Sequence, residues 1–400
     1  MITLTYEYLA TGRSESLFAP DIAEHIAELT ERLRGSRIAV IGAAGSIGSA
    51  VVKTLLRFDP AGLCLIDLSE NNLVALVRDL RSTPGLRLPD DFNALPIGMG
   101  SIEFNRFFDD EKPYDYLFNL AAMKHVRSEK DLYCLMRMLD TNVLFLHEFL
   151  GKCRYRFRKV FSVSSDKAAN PANLMGASKM IMEQALLYRA AEQPFSTARF
   201  ANVAFSDGSL PHGFLERIAR HQPIAAPDDI QRYFISHQEA GELCVLSGVL
   251  GENRDVFFPK MKPQTDLKTF SEIAEELLTE MGYEPYFCKS DEEARARADE
   301  LIAERQWPCV FGPSTTDGEK ACEEFFAIGE NLDFSVFPHI GIIRRDGTEF
   351  DPAVFEEFIR FLRAAKTDQD LTKTNYIRQM TRVVPALKHV VTGKNLDQKM

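Results

Sequence analysis

A hydroxyl, a carboxyl and an amine stand side by side at Ser165, Asp166 and Lys167, and a second amine, Lys179, follows beyond a polar loop. Such a set can exchange protons with a bound alcohol: the carboxyl gives or takes them, and an amine freed of its charge acts as a base. An acid beside an amine is also the commonest kind of surface ion pair, so residue types alone decide little. Position decides more. Val160, Phe161 and Val163 alternate as a strand, which places the three polar residues where it ends. Asn170, Pro171 and Asn173 make a polar loop, and a helix beginning near Gly176 carries Lys179. In open α/β sheets the ligand crevice lies outside the carboxyl ends of the strands.

A second constellation lies earlier. The apolar run Ile38–Ile41 leads into Gly42, Gly45, Ser46, Ile47 and Gly48, then a helix through Val51, Val52 and Leu55. The first glycine permits a tight turn, the second lets backbone approach a pyrophosphate at a helix N-terminus, and the third lets helix and strand pack closely. Another strand ends in Asp67, at the spacing of an acid that hydrogen-bonds a ribose hydroxyl. The bland alternative is a merely tight strand-helix turn. The dinucleotide reading prefers NAD, because Asp67 disfavours a 2′-phosphate, with NADP as the other possibility.

The elements that must hold these groups are short apolar strands near 37–42, 62–67, 93–98, 115–120, 158–163 and 196–201, with helices between them. The longest helical period runs over 130–151. Strict alternation implies an α/β fold, a doubly wound parallel sheet of Rossmann type with a smaller C-terminal substrate-binding domain. The expected divisions are an N-terminal arm and helix (1–35), a dinucleotide-binding domain (36–203), a substrate-binding region (204–345) and a C-terminal helical extension (346–400). Residues 1–20 read as irregular, and Ile22, Ile26, Leu29 and Leu33 form one apolar stripe of a docked helix. After residue 203 only Val256–Pro259 reads as a strand.

The chain of 400 residues, 45% hydrophobic and 26% charged, has the composition of a globular protein. A formal net charge of -11 without a long basic run argues against nucleic acid or an anionic membrane as partner. Seven scattered cysteines, never spaced C-x-x-C, fit reduced thiols in a cytoplasm and no zinc site. The first residues lack a secretory pattern, and no apolar run is long enough for a membrane span.

The G-x-x-G-x-x-G spacing resembles the extended short-chain dehydrogenase/reductases, and later segments sharpen the likeness. Asn119–Val126, Thr141-Asn142-Val143, Ser164–Ala168, Asn170-Pro171, Met175–Lys179 and Arg199–Val203 occur in that order. With Gly208-Ser209, Arg232-Tyr233-Phe234, Pro259-Lys260-Met261, Gly318-Glu319-Lys320 and Glu323-Glu324, they resemble the nucleotide-sugar 4,6-dehydratases of bacterial polysaccharide biosynthesis, which act on UDP-N-acetylglucosamine. The membrane-spanning N-terminal region of longer relatives has no counterpart in this sequence.

The resemblance implies hydride removal from sugar C4, loss of water across C5–C6, and return of the hydride to C6, with the cofactor regenerated. Most of the superfamily uses Tyr-x-x-x-Lys; here Met175 stands at the tyrosine position and Lys179 at the lysine. Methionine has no proton to exchange, so the work falls on the strand end. Asp166 is expected to protonate the departing C6 hydroxyl, Lys167 to remove the C5 proton with its pKa lowered, Ser165 to hydrogen-bond the C4 hydroxyl, and Lys179 to bind the nicotinamide ribose. Ala121 and Ala122 fall at the cofactor, and Lys124, His125 and Asn202 near the substrate. Asn202 ends the sixth strand, where it meets substrate or nicotinamide, and Asn142 reads as a bridge between backbone groups. Arg232 and Lys260 are candidate partners of a diphosphate. The family's arginine-bearing turn before Gly-Glu-Lys is Ser314-Thr315-Thr316-Asp317 here. Trp307 reads as packing.

Two rival functions share parts of this pattern. An extended short-chain epimerase or reductase would want the tyrosine that Met175 replaces. A non-catalytic dinucleotide-binding protein would have no need of Asp166 and Lys167. The helices over 130–151 and 176–191 suit, by analogy, the helix bundle of a homo-oligomer.

Overall fold

The computed structural model describes residues 2–314 and 320–388. Six parallel strands carry the first half: β1 (Arg37–Ile41), β2 (Gly62–Ile66), β3 (Asp91–Leu95), β4 (Tyr116–Asn119), β5 (Lys159–Ser165) and β6 (Phe195–Phe200). Their spatial order is β3-β2-β1-β4-β5-β6, so the chain reverses direction across the sheet between β1 and β4. That switch point opens a crevice above the carboxyl ends. Along β1, Ile38 and Val40 enter one core, and Ala39 and Ile41 the other. A strand buried on both faces needs such an unbroken apolar run, which is why β1, β2 and β4 read so clearly.

The helices Ala19–Leu33, Ser46–Leu56, Glu70–Ser82 and His237–Leu250 cover one face. The other is covered by Ile102–Asp110, the segments between Leu132 and Lys152, Leu174–Arg189, and two late helices, Pro352–Ala364 and Lys373–Val383.

Several expectations need correction. Residues Ile2–Thr11 form a helix instead of irregular chain. Leu9 and Ala10 are buried, and the Glu7 carboxylate meets the backbone and ring of His237, so tertiary contacts override a sequence rich in β-branched residues. In the next helix Ile22, Leu29 and Leu33 are buried, but Ile26 faces solvent. The strand Asp255–Pro259 joins the main sheet parallel to β6, and Ile340–Ile343 and Leu332–Asp333 extend it antiparallel. Residues beyond 203 therefore complete the dinucleotide-type sheet as well as building two small three-stranded sheets. Trp307 is fully buried in one of these, donating its indole N–H to Gln222 O, as its packing role requires.

The expected long helix over 130–151 is interrupted. It runs as Leu132–Leu139, a wide π turn over Asp140–Leu144, and Phe145–Lys152. The face of Leu174–Arg189 expected to meet a second copy is covered by this chain's own late helices. Phe355, Phe358, Ile359, Leu362, Tyr376 and Met380 bury themselves in the same core, at roughly 1.5–3 kcal/mol for each fully buried large apolar side chain. Arg363 pairs with Glu148 at 2.8 Å, and Gln184 donates to Val383 O at 3.3 Å.

Candidate active site

The glycine turn is a steric necessity at two of its three positions. Gly42 adopts φ +74°, and a Cβ there would fall 2.6 Å from the Ala121 nitrogen. A Cβ on Gly48 would lie 2.0 Å from Gly42 O. At Gly45, by contrast, it would lie 3.6 Å from Gly42 O, an ordinary contact. The protein itself does not demand glycine there; a ligand approaching the backbone would. Gly45, which lines the cleft, caps the helix Ser46–Leu56 without a side-chain partner, so the first amides of that helix have no cap and lie at the positive end of its dipole. The cleft above them encloses about 310 Å³, with Gly42, Gly45, Asp67, Leu68, Ala121, Ala122 and Arg137 among its walls. Asp67 accepts hydrogen bonds from the Ala44 and Ser69 amides, each at 2.9 Å, which aims its carboxylate at this space. These residues fit a dinucleotide: a phosphate cradle at a helix N-terminus and an acid at ribose distance along the sheet.

At the end of β5 the backbone turns into a short 3-10 helix, Asp166–Ala168. Asp166 Oδ1 accepts from Ser165 Oγ at 2.8 Å, from the Lys167 amide at 2.8 Å and from Lys167 Nζ at 3.1 Å. Asp166 is buried, and Lys167 Nζ also lies 3.7 Å from the Glu323 carboxylate. The lysine departs from expectation. Burial alone would push its amine down, but Asp166 and Glu323 outweigh burial and hold it above its ordinary value. Lys167 is an ammonium in the chain as it stands. Any role as base requires it to lose a proton first.

The helix Leu174–Arg189 docks against this turn through small residues. A Cβ on Gly176 would fall 2.4 Å from Lys167 O, which accounts for the glycine. Ser178 Oγ accepts from the Asn142 amide nitrogen at 2.9 Å. The same Asn142 side chain accepts from Met123 N at 2.9 Å and donates to Met123 O at 3.0 Å. It thereby ties the loop after β4 to the helix Leu174–Arg189, and the π turn that carries Asn142 aims it there. Lys179 Nζ donates to Val163 O at 3.0 Å, and burial pushes its amine down to about 8. Met175 is buried in the apolar core beneath. One turn further, Glu183 is fully buried between Arg199 and Arg345 and bonded by Ser164. Burial alone would raise its carboxyl, yet the two arginines hold it down at about 2. This network fixes β5, β6 and the chain near Glu330 behind the site.

The other expected site residues divide. Lys124 Nζ lies 3.4 Å from Ser206 Oγ, and the His125 ring packs on Gly208. Burial pushes both groups down. The Asp207 amide donates to Ser46 Oγ, closing this loop onto the glycine turn. Asn202 is half-buried and starts a short strand paired with Gln231–Ile235. Lys260 does not face the site. Its Nζ donates to the carbonyls of Phe334 and Phe337, at 2.7 and 2.6 Å, and so fastens a loop. Arg232 is buried near Lys167 and Glu323, donating to the carbonyls of Gln231 and Lys320 at 2.8 and 2.9 Å. These bonds, with a third to the Ala321 carbonyl, hold the backbone at 320–321. Residues 315–319, which include Gly318 and Glu319, lie outside the described residues. Neither Glu323 nor Arg137 carries a sequence signal of a site role. Only the fold brings them to the site.

Residues 38–344 match the family described as polysaccharide biosynthesis protein. The chain belongs to that family. Among relatives of this chain, an uncharacterized membrane protein of Methanocaldococcus jannaschii is 30% identical, over 64% of the chain and 76% of the relative. The capsular polysaccharide biosynthesis protein CapD of Staphylococcus aureus is 29% identical over 61% of the chain, which spans only 41% of that relative. A UDP-glucose 4-epimerase of Rickettsia bellii is 26% identical over 56% of the chain and 66% of the relative. The solved structure of Pen from Bacillus thuringiensis superposes with a TM-score of 0.60 at 22% identity, covering 78% of the chain and 88% of that protein. The last comparison shows a shared fold, a large mostly parallel sheet with helices on both faces. No helix among the described residues is long and apolar enough to cross a membrane.

Proposed function

We propose that this protein is a nucleotide-sugar 4,6-dehydratase, acting in the cytoplasm with NAD on UDP-N-acetylglucosamine. The observation that supports it most is the joined acid and amine, Asp166 and Lys167, at the end of β5, with Met175 where a proton-exchanging phenol would otherwise stand. An epimerase needs one base for one hydroxyl. Dehydration needs a second group to take a carbon-bound proton and an acid to release water, and Lys167 and Asp166 are the residue types that could supply them.

A bound NAD would take the hydride from C4 and return it at C6. The chain's own residues handle the protons. Asp166, a carboxylate in the ion pair, takes the C4 hydroxyl proton, with Ser165 hydrogen-bonded to it as guide. Carrying that proton, Asp166 delivers it to the C6 hydroxyl, which leaves as water. Lys167, once neutral, removes the C5 proton and later gives a proton back to C5. Lys179, held by Val163 O, faces the ribose side, and Asp67 favours NAD over NADP. Gly42, Gly45 and Gly48 shape the pyrophosphate cradle. Lys124, His125 and Asn202 sit where the sugar would enter.

A second reading, 4-epimerisation, is supported by the names of several relatives. Incubation with UDP-N-acetylglucosamine and weighing of the product separates the two. Dehydration yields a product lighter by one water, and an isomer of unchanged mass would overturn the proposal.

A further inference from the structure

The interrupted helix between Leu132 and Lys152 presents two stripes. Arg137, Thr141 and Phe145 follow one another at four-residue spacing, which sets them on one side, and all three line the cleft beside Asp67. Asp140 and Glu148 belong to the other stripe, and the end of the chain meets both. Lys366 Nζ, just past the helix Pro352–Ala364, stands 3.3 Å from Asp140 Oδ1, and Arg363 Nε stands 2.8 Å from Glu148 Oε1.

Lys366 reaches beyond its ion pair. Its Nζ lies 5.0 Å from the centroid of the Phe145 ring, and the Arg137 guanidinium lies 5.6 Å from the same centroid. At such distances the face of an aromatic ring attracts a cation. The ring also rests on the backbone of Gly100, in the loop after β3, where a Cβ would fall 2.6 Å from Phe145 Cδ1. Phe145 is thus fixed by the β3 loop, by an arginine of the cleft wall and by a lysine from the far end of the chain. Between Arg137 and Phe145 runs the π turn Asp140–Leu144, which carries Thr141 and also Asn142. Asn142 in turn holds Met123, another residue of the cleft wall.

An ion pair with side chains 42% and 24% exposed adds little to global stability. Its consequence comes from its place, because a shift of Asp140 or Phe145 moves the wall of the cleft. The proposed reaction makes that wall matter. NAD takes a hydride from C4 and returns it to C6 of the same sugar, so a cofactor lost between the two steps strands the intermediate. Resting on the reading of this cleft as the NAD site, we propose that the C-terminal helices clamp the cofactor, with Lys366 as the contact that holds the wall beyond Asp67. Lys366 acts through Asp140 and Phe145 and does not touch NAD, so it is a positioning residue.

The test titrates NAD calorimetrically into full-length protein stripped of cofactor, with melting midpoints of the apo forms beside it. Lys366→Met should raise the NAD Kd about threefold to fivefold, the range that an exposed ion pair commands. Lys366→Glu, which sets a like charge against Asp140, should raise it about tenfold or more. Lys366→Arg keeps a cation there and should stay within about twofold of wild type. Arg382→Met is the control: it breaks a comparable pair with Glu357, at 2.7 Å between the late helices, and should leave the Kd unchanged. Equal Kd values for wild type and Lys366→Glu overturn the proposal. So does an equal rise in Arg382→Met, which would mean general loosening. Wild-type protein that binds no NAD overturns the cofactor reading beneath it, and wild type that binds NAD tightly yet forms no dehydrated product overturns only the reaction.

Discussion

Lys167 Nζ stands 3.1 Å from Asp166 Oδ1 and 3.7 Å from Glu323 Oε1, so the buried amine is answered by two carboxylates. Breaking a buried pair by removing one member strands the other charge. Asp166→Asn and Lys167→Met should each lower turnover by about 10²–10⁴-fold while cofactor still co-purifies, because both residues lie away from the glycine turn. Cofactor content by absorbance and turnover by product mass check this together. Unchanged turnover in either variant contradicts the assignment.

The three glycines should fail in different ways. Gly48→Ala puts a Cβ 2.0 Å from Gly42 O, so the protein should fold poorly. Gly45→Ala meets only an ordinary contact at 3.6 Å, so the fold should persist while NAD affinity drops, by about tenfold or more. Thermal melts with and without NAD distinguish them: Gly45→Ala keeps the wild-type apo midpoint and loses the NAD-induced rise.

Asn142 answers Met123 through both its amide atoms and reaches Ser178 as well. Asn142→Ala leaves those groups unpaired in a buried place, at roughly 1–3 kcal/mol. Chemical denaturation should record that loss. NAD binding should weaken too, since the Met123 loop lines the cleft. Asn142→Asp, which keeps the acceptor, should lose less than the alanine variant.

The late helices carry an acid sensitivity. His147 packs against Phe355 and Tyr188, and burial, with Arg189 and Arg363 nearby, pushes its ring down to about 4. A group whose pKa is lower when folded takes up its proton first in the unfolded chain. Its contribution is therefore present above the ordinary histidine value and lost as pH falls from about 6.5 toward about 4. Between about pH 7 and pH 5 the loss is about 2 kcal/mol, and His147→Phe should be spared it. Denaturation midpoints at the two pH values measure the difference, and equal acid losses in both proteins would contradict it.

The parallel half was legible because strands such as Ile38–Ile41 are buried on both faces and must be apolar throughout. The glycine turn, Asp67 and the β5 end announced themselves by local order along the chain. What was hidden depends on contacts far apart in sequence. The helical period through Leu139 and Val143 stays apolar across the π turn, so the interruption at Asp140–Leu144 leaves no mark in the pattern. Lys260 looks like a free cation in sequence, but its partners are backbone carbonyls, which carry no residue signature. Lys167 invited a lowered pKa until Glu323 arrived from the far loop. Likewise, nothing in Leu174–Arg189 tells whether a second copy or the chain's own end covers its apolar side.

Dehydration through Lys167 must exchange the C5 hydrogen with solvent, whereas epimerisation at C4 touches no proton on carbon. The reaction run in D2O with UDP-N-acetylglucosamine therefore tests the central claim most directly. A product one water lighter, with solvent deuterium at C5 and the C4 hydrogen retained at C6, is the predicted result. An isomeric product free of carbon-bound deuterium would contradict it.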